Sequence, residues 1–412
     1  MRGNVIVGQS GGPTSVINSS LVGVYQNAIN RGAGTVYGML HGIKGLLDGQ
    51  YVDLSEHIKN DLDIDLLKRT PSSFLGSCRY KLPEICDDKE VYEKIFKILN
   101  DLNIEAFFYI GGNDSMDTIK KLSDYAILVN STIKFMGVPK TIDNDLAITD
   151  HTPGYGSAAK YIASVTKEII RDGLVYDYPT ISIIEIMGRN AGWLTAAAAL
   201  AKGEDCEGVD LIYLPEVAFD IDKFMVKVKE LSAKKSSIVI AISEGIKVAD
   251  GRYVFELADH VEFTDAFGHK QLSGSAKFLA NKLGAELGVK TRAIELSTLQ
   301  RCAAHLTSRV DITEAFQVGG AAVKAAFEGE TGKVIVLDRV SDDPYICTTS
   351  SHNVHKIANI EKKVPLEWII DDGTNVSEDL IHYIRPLIQA ELSPVMVNGL
   401  PRHLRVDLKD SL

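Results

Sequence analysis

Two aspartates that alternate in one short polar segment could act together on a hydroxyl group and a metal ion. Asp143 and Asp145 follow an apolar strand that Pro139 ends, and in an extended loop both side chains can face one side. Carboxylates this close repel each other unless positive charge lies beside them. A magnesium ion held by one carboxylate would supply that charge while the other carboxylate takes a proton from the hydroxyl, and Lys140, beside Thr141, would hold a phosphate group. The alternative is a polar turn in which Asp and Asn only form local hydrogen bonds.

Two glycine-rich turns follow apolar strands and precede helical patterns. The first, at 8–14, comes after the first strand of the chain, and the second, at 111–115, comes after a strand at 106–110. A strand, a glycine turn and a helix in this order direct backbone N–H groups and a helix N-terminus toward an anion such as phosphate. A plain tight turn in the first case, and helix capping by Asp114 and Ser115 in the second, are the alternative interpretations.

Strands and helices alternate along most of the chain, which predicts an α/β protein with mainly parallel sheets in two similar halves that meet near Pro153. Because the carboxyl ends of parallel strands share one edge of a sheet, both glycine turns and the loop at 141–145 should lie along that edge. Two further strands, the first of them at 180–186, end in Met-Gly-Arg at 187–189 and in Ser-Glu-Gly at 243–245. A nearly all-apolar helix is predicted at 193–201. An open loop is predicted at 264–271.

Length, charge and cysteine content narrow the class of protein. A chain of 412 residues usually forms more than one core, so two domains are expected. The formal net charge of −11 argues against a nucleic-acid-binding surface, and an anionic substrate would need a locally basic site. Five cysteines without a CxxC spacing indicate reduced thiols and a cytoplasmic location. We expect no signal peptide, because the apolar segment at 1–7 is short and leads directly into a glycine turn. We expect no membrane span, because no apolar run reaches about 18 residues.

Taken together, these motifs resemble those of the phosphofructokinase family and occur in the same order. The resemblance covers about 4–337 and depends on Gly11-Gly12, 111–115, Thr-Ile-Asp-Asn-Asp at 141–145, 187–189, 243–245 and Gln300-Arg301. It implies two Rossmann-like three-layer domains with the active site in the cleft between them. Residues 1–152 with about 299–345 would bind the phosphoryl donor and Mg²⁺, and residues 153–298 with about 346–412 would bind the sugar phosphate. The implied reaction is phosphoryl transfer to the 1-hydroxyl of fructose 6-phosphate by a homodimer or homotetramer.

The resemblance also implies a role for each matching residue. Asp143 would be the general base on the sugar hydroxyl, and Asp145 with Asp114 would bind Mg²⁺. Thr141, Lys140 and Arg189 would hold the transferring phosphoryl group, since catalysis of this reaction consists mainly of positioning and charge neutralisation. The donor would be bound by Gly11, Gly12, Arg79, Gly112, Asp114, Ser115 and Lys140, and the sugar phosphate by Thr141, Asp143, Met187, Gly188, Arg189, Glu244, Arg301 and Arg292, the last from a neighbouring subunit.

Two residues predict which donor is used. Members of the family that use ATP generally have glycine at the positions of Asp114 and Lys140, whereas the pyrophosphate-using branch has an acid and a lysine. A carboxylate at position 114 would fill the space that the α-phosphate of a nucleotide needs and would repel it, and Lys140 suits a short inorganic donor. Leu47 also replaces a tyrosine that is common near the nucleotide in bacterial ATP users. Pyrophosphate is therefore the predicted donor, and ATP is the alternative.

Several positions depart from the family pattern. Thr180 and Thr298 stand where an arginine and a histidine usually bind the 6-phosphate, and Asn113 replaces an aspartate often linked to the metal. Tyr383 and Arg385 are candidates to restore the lost charge, against the alternative that this arginine is an ordinary surface residue. A seven-carbon ketose phosphate therefore stays open as a substrate. A non-catalytic sugar-phosphate sensor is a third hypothesis, which the catalytic aspartates disfavour because a sensor has no use for a base.

Overall fold

The computed structural model describes residues 3–258 and 274–406, so the loop predicted at 264–271 lies outside the described residues. Its strands are β1 (Asn4–Gln9), β2 (Val36–Met39), β3 (Tyr51–Asp53), β4 (Ile104–Gly111), β5 (Lys134–Pro139), β6 (Thr180–Ile186), β7 (Leu211–Tyr213), β8 (Ser237–Ser243), β9 (Lys290–Glu295), β10 (Lys333–Asp342), β11 (Tyr345–Asn353), β12 (Ile369–Ile370), β13 (Asn375–Val376), β14 (Met396–Val397) and β15 (Leu400–Pro401). Its helices are α1 (Ile17–Asn30), α2 (Gly42–Leu47), α3 (Asp61–Arg69), α4 (Lys89–Asp101), α5 (Asn113–Leu128), α6 (Tyr155–Gly173), α7 (Trp193–Ala196), α8 (Ile221–Ser232), α9 (Ser275–Leu287), α10 (Leu299–Cys302), α11 (Arg309–Phe327) and α12 (Glu378–Ile384).

The described residues form two compact units, each built from separate stretches of the chain. Unit 1 consists of Met1–Ser157, Arg301–Glu361 and Gln389–Leu412, and unit 2 consists of Ala158–Gln300 and Lys362–Ile388, as far as these stretches are described. Over the same described ranges, no helix combines the length and the apolar character that crossing a bilayer requires.

Unit 1 contains a seven-stranded sheet in the order β11-β10-β5-β4-β1-β2-β3. The five inner strands pair in parallel, and the two outermost strands pair antiparallel with their neighbours. Side chains from both faces are buried: Val5 and Val7 belong to one apolar cluster, and Ile6 belongs to another on the opposite face. Strands covered on both faces read as continuous apolar runs, which is the pattern that predicted a parallel sheet.

Unit 2 contains a four-stranded parallel sheet in the order β7-β8-β6-β9. Ile186 at the end of β6 pairs with Ser243 at the end of β8, so the segments 187–189 and 243–245 leave the sheet side by side. Ile183 and Ile240 from these strands are fully buried in one apolar cluster with residues of α8 and α9. The prediction of an α/β protein with mainly parallel sheets is confirmed.

Helices α1 and α11 of unit 1 pack closely because glycines lie where they meet. A Cβ atom on Gly23 would lie 2.2 Å from the carbonyl oxygen of Phe316, and one on Gly319 would lie 2.2 Å from that of Ser20. Neither glycine can therefore be replaced without moving a helix. This contact holds the start of α11 close to the segment that follows the 141–145 loop, where Asp311 accepts from the N–H of Gly154 (2.8 Å).

Candidate active site

The first glycine turn follows β1, and two cationic side chains lie against it. Gly11 has a positive φ of 75°, and its N–H donates to the carbonyl of Cys78 (3.3 Å). A Cβ atom on Gly11 would lie 3.4 Å from Nζ of Lys140, and one on Gly12 would lie 3.4 Å from Nη1 of Arg301. Two glycines without side chains next to two cations are suited to binding an anion.

Arg79 lies near the same turn because the two residues before it, Ser77 and Cys78, form hydrogen bonds with Gly11. Cys78 accepts the Gly11 N–H, and the hydroxyl of Ser77 donates to the Gly11 carbonyl (2.6 Å). The Arg79 side chain is exposed, which suits a guanidinium that meets an anionic ligand arriving from solution.

The second glycine turn joins β4 to α5, which begins at Asn113. The N-cap residue is Gly112, whose carbonyl accepts from the N–H groups of Ser115 and Met116 (3.0 Å each). Neither Asp114 nor Ser115 occupies the N-cap, so the interpretation of these residues as helix caps is wrong. Asp114 lies exposed in the first turn of α5, where the helix dipole favours negative charge.

Lys140 connects the two glycine turns from the end of β5. Its backbone N–H donates to the carbonyl of Gly111 (3.0 Å), and its Nζ donates to the carbonyl of Gly12 (2.6 Å). The residue is 2% exposed, and this burial lowers the pKa of the ammonium group to about 8, although Asp143 and Asp145 oppose the shift. A phosphate group beside Nζ would favour the protonated, charged form of Lys140. Its negative charge would compensate for the solvation that the ammonium group loses on burial.

The loop that follows Lys140 is held by local hydrogen bonds. The N–H of Asp143 donates to Oγ1 of Thr141 (3.1 Å), whose hydroxyl lies 3.4 Å from Oδ2 of Asp143. Asn144 is fully buried with a positive φ of 54°, and its Oδ1 accepts the N–H of Thr152 (3.1 Å). The hydrogen bonds of a polar turn are thus present, and Thr141 and Asn144 supply them.

The environment of Asp145 fits a magnesium ion. Burial and then the charge of Asp143 raise the pKa of Asp145 to about 7, which marks a carboxylate that needs a cation. Nδ2 of Asn113 donates to Oδ2 of Asp145 (3.3 Å), and Oδ1 of Asn113 is buried without a hydrogen-bond partner. No cluster of three or more His, Cys, Asp or Glu side chains suited to a metal occurs in 3–258 or 274–406. Mg²⁺ needs no such cluster, because it binds through one or two carboxylates, substrate phosphates and water.

In unit 2, the residues predicted to contact the sugar lie on two loops that pack against each other. The hydroxyl of Ser243 donates to the carbonyl of Gly188 (2.5 Å), and the N–H of Gly188 donates to Oε1 of Glu244 (3.4 Å). Gly188 has a φ of 139°, and a Cβ atom on Gly245 would lie 2.0 Å from the carbonyl oxygen of Arg189. Two glycines therefore permit the close approach that brings Arg189 next to Glu244.

Two side chains with no role assigned from the sequence hold the same loop. Oε1 of Gln300 accepts the N–H of Met187 (3.3 Å), and Oε1 of Glu216 accepts the N–H groups of Gly192 (2.8 Å) and Val364 (3.0 Å). Burial raises the pKa of Glu216 despite these hydrogen bonds. Glu216 follows β7 as Glu244 follows β8, so its place after a strand is the one sequence signal that could have singled it out.

Arg292 lies apart from the Met187 loop within one copy of the chain. It pairs with Ser182 in the middle of β6, four residues and therefore roughly 13 Å before the end of that strand at residue 186. Its guanidinium carbon lies 5.2 Å from the centroid of the Tyr176 ring. Thr180, which replaces a family arginine, is buried at the start of β6, at the opposite end from Met187.

A parallel α/β fold with glycine turns, a buried lysine and paired carboxylates at its strand ends is typical of proteins that bind and transfer phosphoryl groups. The model of the phosphofructokinase family matches residues 4–326, and the chain belongs to this family.

Relatives of the chain are similar over nearly its whole length. It is 41% identical over 407 residues to a pyrophosphate--fructose 6-phosphate 1-phosphotransferase of Xanthomonas campestris pv. campestris, covering 98% of this chain and 96% of the relative. A protein of the same name from Halomonas elongata is 39% identical over 403 residues, covering 97% of this chain and 95% of the relative. The crystal structure of a pyrophosphate-dependent phosphofructokinase from Nitrosospira multiformis superposes with a TM-score of 0.88 at 34% identity, covering 98% and 96%. The predicted family and fold are confirmed.

Proposed function

We propose that this protein transfers a phosphoryl group reversibly from pyrophosphate to the 1-hydroxyl of fructose 6-phosphate, giving fructose 1,6-bisphosphate and phosphate. The observation that carries the proposal is the place of Lys140, whose Nζ lies 2.6 Å from the Gly12 carbonyl and whose backbone binds Gly111. A single buried ammonium group next to both glycine turns is matched to a short inorganic donor. The relatives named for this reaction support the same donor and acceptor.

The donor would lie against the two glycine turns. Lys140 and Arg79 would bind its oxygens, one as a buried point charge and the other as a planar fork. The backbone at Gly11, Gly12 and Gly112 would approach it closely, because none of these residues has a side chain. Ser115 in the first turn of α5 would add a hydroxyl near the helix N-terminus.

Asp143 would act as the general base. It would take the proton of the 1-hydroxyl as that oxygen forms a bond to the transferred phosphorus and the bridging bond of pyrophosphate breaks, so that phosphate leaves. Thr141 would orient Asp143 through the contacts at 3.1 and 3.4 Å and would bind the phosphoryl group. Arg189 would neutralise charge on the phosphoryl oxygens, which is the main requirement of this reaction.

Asp145 and Asp114 would hold Mg²⁺, and Oδ1 of Asn113 offers a further oxygen ligand. The ion would neutralise the phosphate oxygens and draw the donor into position. Because Asn113 is already joined to Asp145 by a hydrogen bond, the two side chains are oriented before any ligand arrives.

Met187, Gly188 and Glu244 would line the sugar, with Glu244 accepting hydrogen bonds from its hydroxyls, and Arg301 would bind the 6-phosphate. Arg292 lies away from the Met187 loop in its own chain, which supports its role as a residue contributed to a second copy in a homodimer or homotetramer. The five cysteines, all within the described residues, form no disulfide, and reduced thiols support a cytoplasmic location.

The second candidate donor is ATP, and a specific pair of residues disfavours it. Asp114 places a carboxylate at the entrance to the second glycine turn, and Lys140 occupies space that glycine would leave open for a nucleotide. Exclusion of a wrong ligand by charge and volume is a common basis of specificity.

A paired assay tests the proposal. Initial rates are measured with fructose 6-phosphate and Mg²⁺, with pyrophosphate in one sample and ATP in the other. A rate with pyrophosphate that exceeds the ATP rate is expected, and a rate with ATP alone would contradict the donor assignment. A rise in melting temperature with fructose 6-phosphate, but no consumption of either donor, would instead indicate a sensor.

A further inference from the structure

A buried charged cluster lies behind the 141–145 loop and has no direct part in the proposed reaction. His151 is 1% exposed, its Nδ1 lies 2.7 Å from Oδ2 of Asp150, and its Nε2 lies 2.7 Å from Oε2 of Glu314. An ionised carboxylate only accepts hydrogen bonds, so a ring with a carboxylate oxygen at each nitrogen donates from both. The geometry therefore corresponds to a protonated imidazolium.

Groups on two strands, β10 and β11, hold the two carboxylates in place. Arg339 of β10 donates from Nε (3.1 Å) and Nη2 (2.9 Å) to Oδ2 of Asp150. Tyr345 of β11 donates its hydroxyl to Oε1 of Glu314, a residue of α11 (2.6 Å). We call His151, Asp150, Glu314, Arg339 and Tyr345 the His151 cluster. The cluster connects residues 150 and 151 to α11, β10 and β11 of unit 1.

The residues next to His151 are bonded directly to the catalytic loop. The N–H of Thr152 donates to Oδ1 of Asn144 (3.1 Å), and its hydroxyl donates to the carbonyl of Thr141 (2.8 Å). The N–H of Thr141 in turn donates to the carbonyl of Pro153 (3.2 Å). These three hydrogen bonds reach both sides of the proposed general base, which lies between residues 141 and 144 in the sequence.

We propose that His151 is a positioning residue that, through Thr152, holds the loop carrying Asp143 in the geometry for proton transfer and phosphoryl transfer. This inference rests on the proposed function. A loop with a residue at positive φ, such as Asn144, needs outside contacts to stay in one conformation. Thr152 and Pro153 supply such contacts, and the His151 cluster anchors the backbone that carries them. A misplacement of about 1 Å in an active site can lower the rate ~10²-fold.

The protonation of His151 adds a pH dependence to this role. Burial alone would lower the pKa of His151, but Glu314 and Asp150 raise it to about 9. When the ring loses a proton, the lone pair of one ring nitrogen faces a carboxylate oxygen. One of the two hydrogen bonds from His151, to Asp150 or to Glu314, is then lost. The titratable and charged groups that face the ring or its carboxylates are Asp150, Glu314 and Asp311, together with Arg339, Tyr345 and Cys347.

The first test is His151→Gln in the full-length chain, assayed with pyrophosphate, fructose 6-phosphate and Mg²⁺ near neutral pH. We expect kcat to fall about 10- to 100-fold while both KM values change less than about twofold, since no ligand-contacting residue is altered. The matched control is Lys121→Met. Lys121 is also buried in unit 1, and its Nζ lies 2.8 Å from carboxylate oxygens of Asp117 and Glu84.

The control variant should lower the melting temperature but leave kcat within about twofold of wild type, because α5 beyond its first turn carries no proposed catalytic residue. An equal loss of kcat in both variants would point to general destabilisation and overturn the inference. A folded His151→Gln protein with wild-type kcat would overturn it as well.

A second variant keeps the inference testable if His151→Gln does not fold. Glu314→Gln preserves the shape of the side chain and removes one charge that raises the His151 pKa. The alkaline limb of kcat, measured at saturating substrates, should move to lower pH by about one unit or more. A limb at the wild-type pH would contradict the role of His151, because titration of Lys140 alone would then account for it.

The two proposals fail in different ways. Wild-type protein that turns over no donor would contradict the proposed function, whatever the variants do. Active wild-type protein whose His151→Gln and Glu314→Gln variants keep its kcat and its pH profile would contradict only the positioning role.

Discussion

The two loops proposed to act on the transferred group are held by different kinds of interaction. The 141–145 loop of unit 1 is attached to a charged cluster in which an imidazolium lies between two carboxylates. The 187–192 loop of unit 2 is held by a neutral hydrogen bond from Ser243, by close backbone approaches at glycines and by two carboxylates, Glu216 and Glu244, that accept its backbone N–H groups. The first loop should therefore respond strongly to pH, and the second should respond mainly to changes of shape.

The largest expected effect concerns the unit 1 loop itself. Asp143→Ala should lower kcat by about 10²–10⁴-fold, because it removes a positioned general base. Steady-state kinetics with pyrophosphate would measure the loss. Asp143→Asn is the control for shape, since it retains the side-chain volume and cannot take the proton, and it should be impaired to a similar degree. Near-normal turnover of either variant would show that the base lies elsewhere.

The donor preference should depend on two residues of unit 1 next to the glycine turns, Asp114 and Lys140, and not on unit 2. In the double variant Asp114→Gly/Lys140→Gly, kcat/KM for pyrophosphate should fall by about 10–10²-fold. This is the loss expected when a charge-assisted hydrogen bond that contributes roughly 1.5–3 kcal/mol is removed. The rate with ATP should rise relative to it because space and charge now admit a nucleotide. Glu244→Gln, a change on the sugar side, is the control and should leave the ratio of the two donors unaltered. An unchanged ratio in the double variant would contradict the steric and electrostatic account.

The unit 2 loop is open to a test of shape. Gly245→Ala would place a Cβ atom 2.0 Å from the backbone oxygen of Arg189, so one of the two loops must move. Overpacking of this kind lowers the free energy of unfolding by about 1–3 kcal/mol, and kcat should fall with it as Arg189 shifts. Gly203→Ala is the matched control in the same unit, where the nearest atom would be 3.5 Å away. Wild-type kinetics in Gly245→Ala would show that the position of Arg189 does not limit the rate.

The structure shows which of these features a sequence can reveal. The limits of β6 were predicted at 180–186 as observed, because a buried parallel strand is a continuous apolar run with polar ends. The segment at 193–201 was predicted as one helix, yet only Trp193–Ala196 is α-helical and Ala197–Ala201 is 3₁₀-helical. Its side chains are buried all round, so the pattern had no periodicity from which to find the change.

The candidate site also contains residues that a sequence pattern reveals and residues that only the fold reveals. Lys140, Asp143 and the glycine turns were predicted because each follows a strand, and strand ends meet at one edge. Asp114 and Ser115 were open to interpretation as helix caps until the structure placed the N-cap at Gly112. His151 could not be assigned a role, because its partner Glu314 is 163 residues away and only the fold brings the two together.

The pH dependence of stability should separate the charged cluster from the rest of the protein. The pKa of His151 is about 9 in the folded protein and near 6.5 when unfolded, so its contribution is complete below pH 6.5 and is lost as the pH rises through 9. The difference in free energy of unfolding between wild type and His151→Gln should therefore narrow over that range, measured by urea denaturation. Lys140, whose pKa is lowered to about 8, makes the folded state more stable as the pH rises. Because this trend is the same in wild type and in His151→Gln, it cancels in the difference between them. A constant difference would mean that His151 is neutral in the folded state.

The smallest effect is expected at Glu216, one of the two carboxylates that hold the unit 2 loop. Glu216→Gln keeps an oxygen for the N–H groups of Gly192 and Val364, so the hydrogen bonds that hold the loop can persist. Because burial raises the pKa of Glu216, ionisation weakens the folded state as the pH rises through the folded pKa, and the amide removes that penalty. We expect kcat within about threefold of wild type and a melting temperature that is unchanged or higher at neutral pH. Glu216→Ala, which loses both hydrogen bonds, is the contrasting variant and should lower both quantities. If Glu216→Gln instead reduced kcat as much as His151→Gln, the unit 2 loop would also depend on a buried charge, and the distinction between the two loops would be lost.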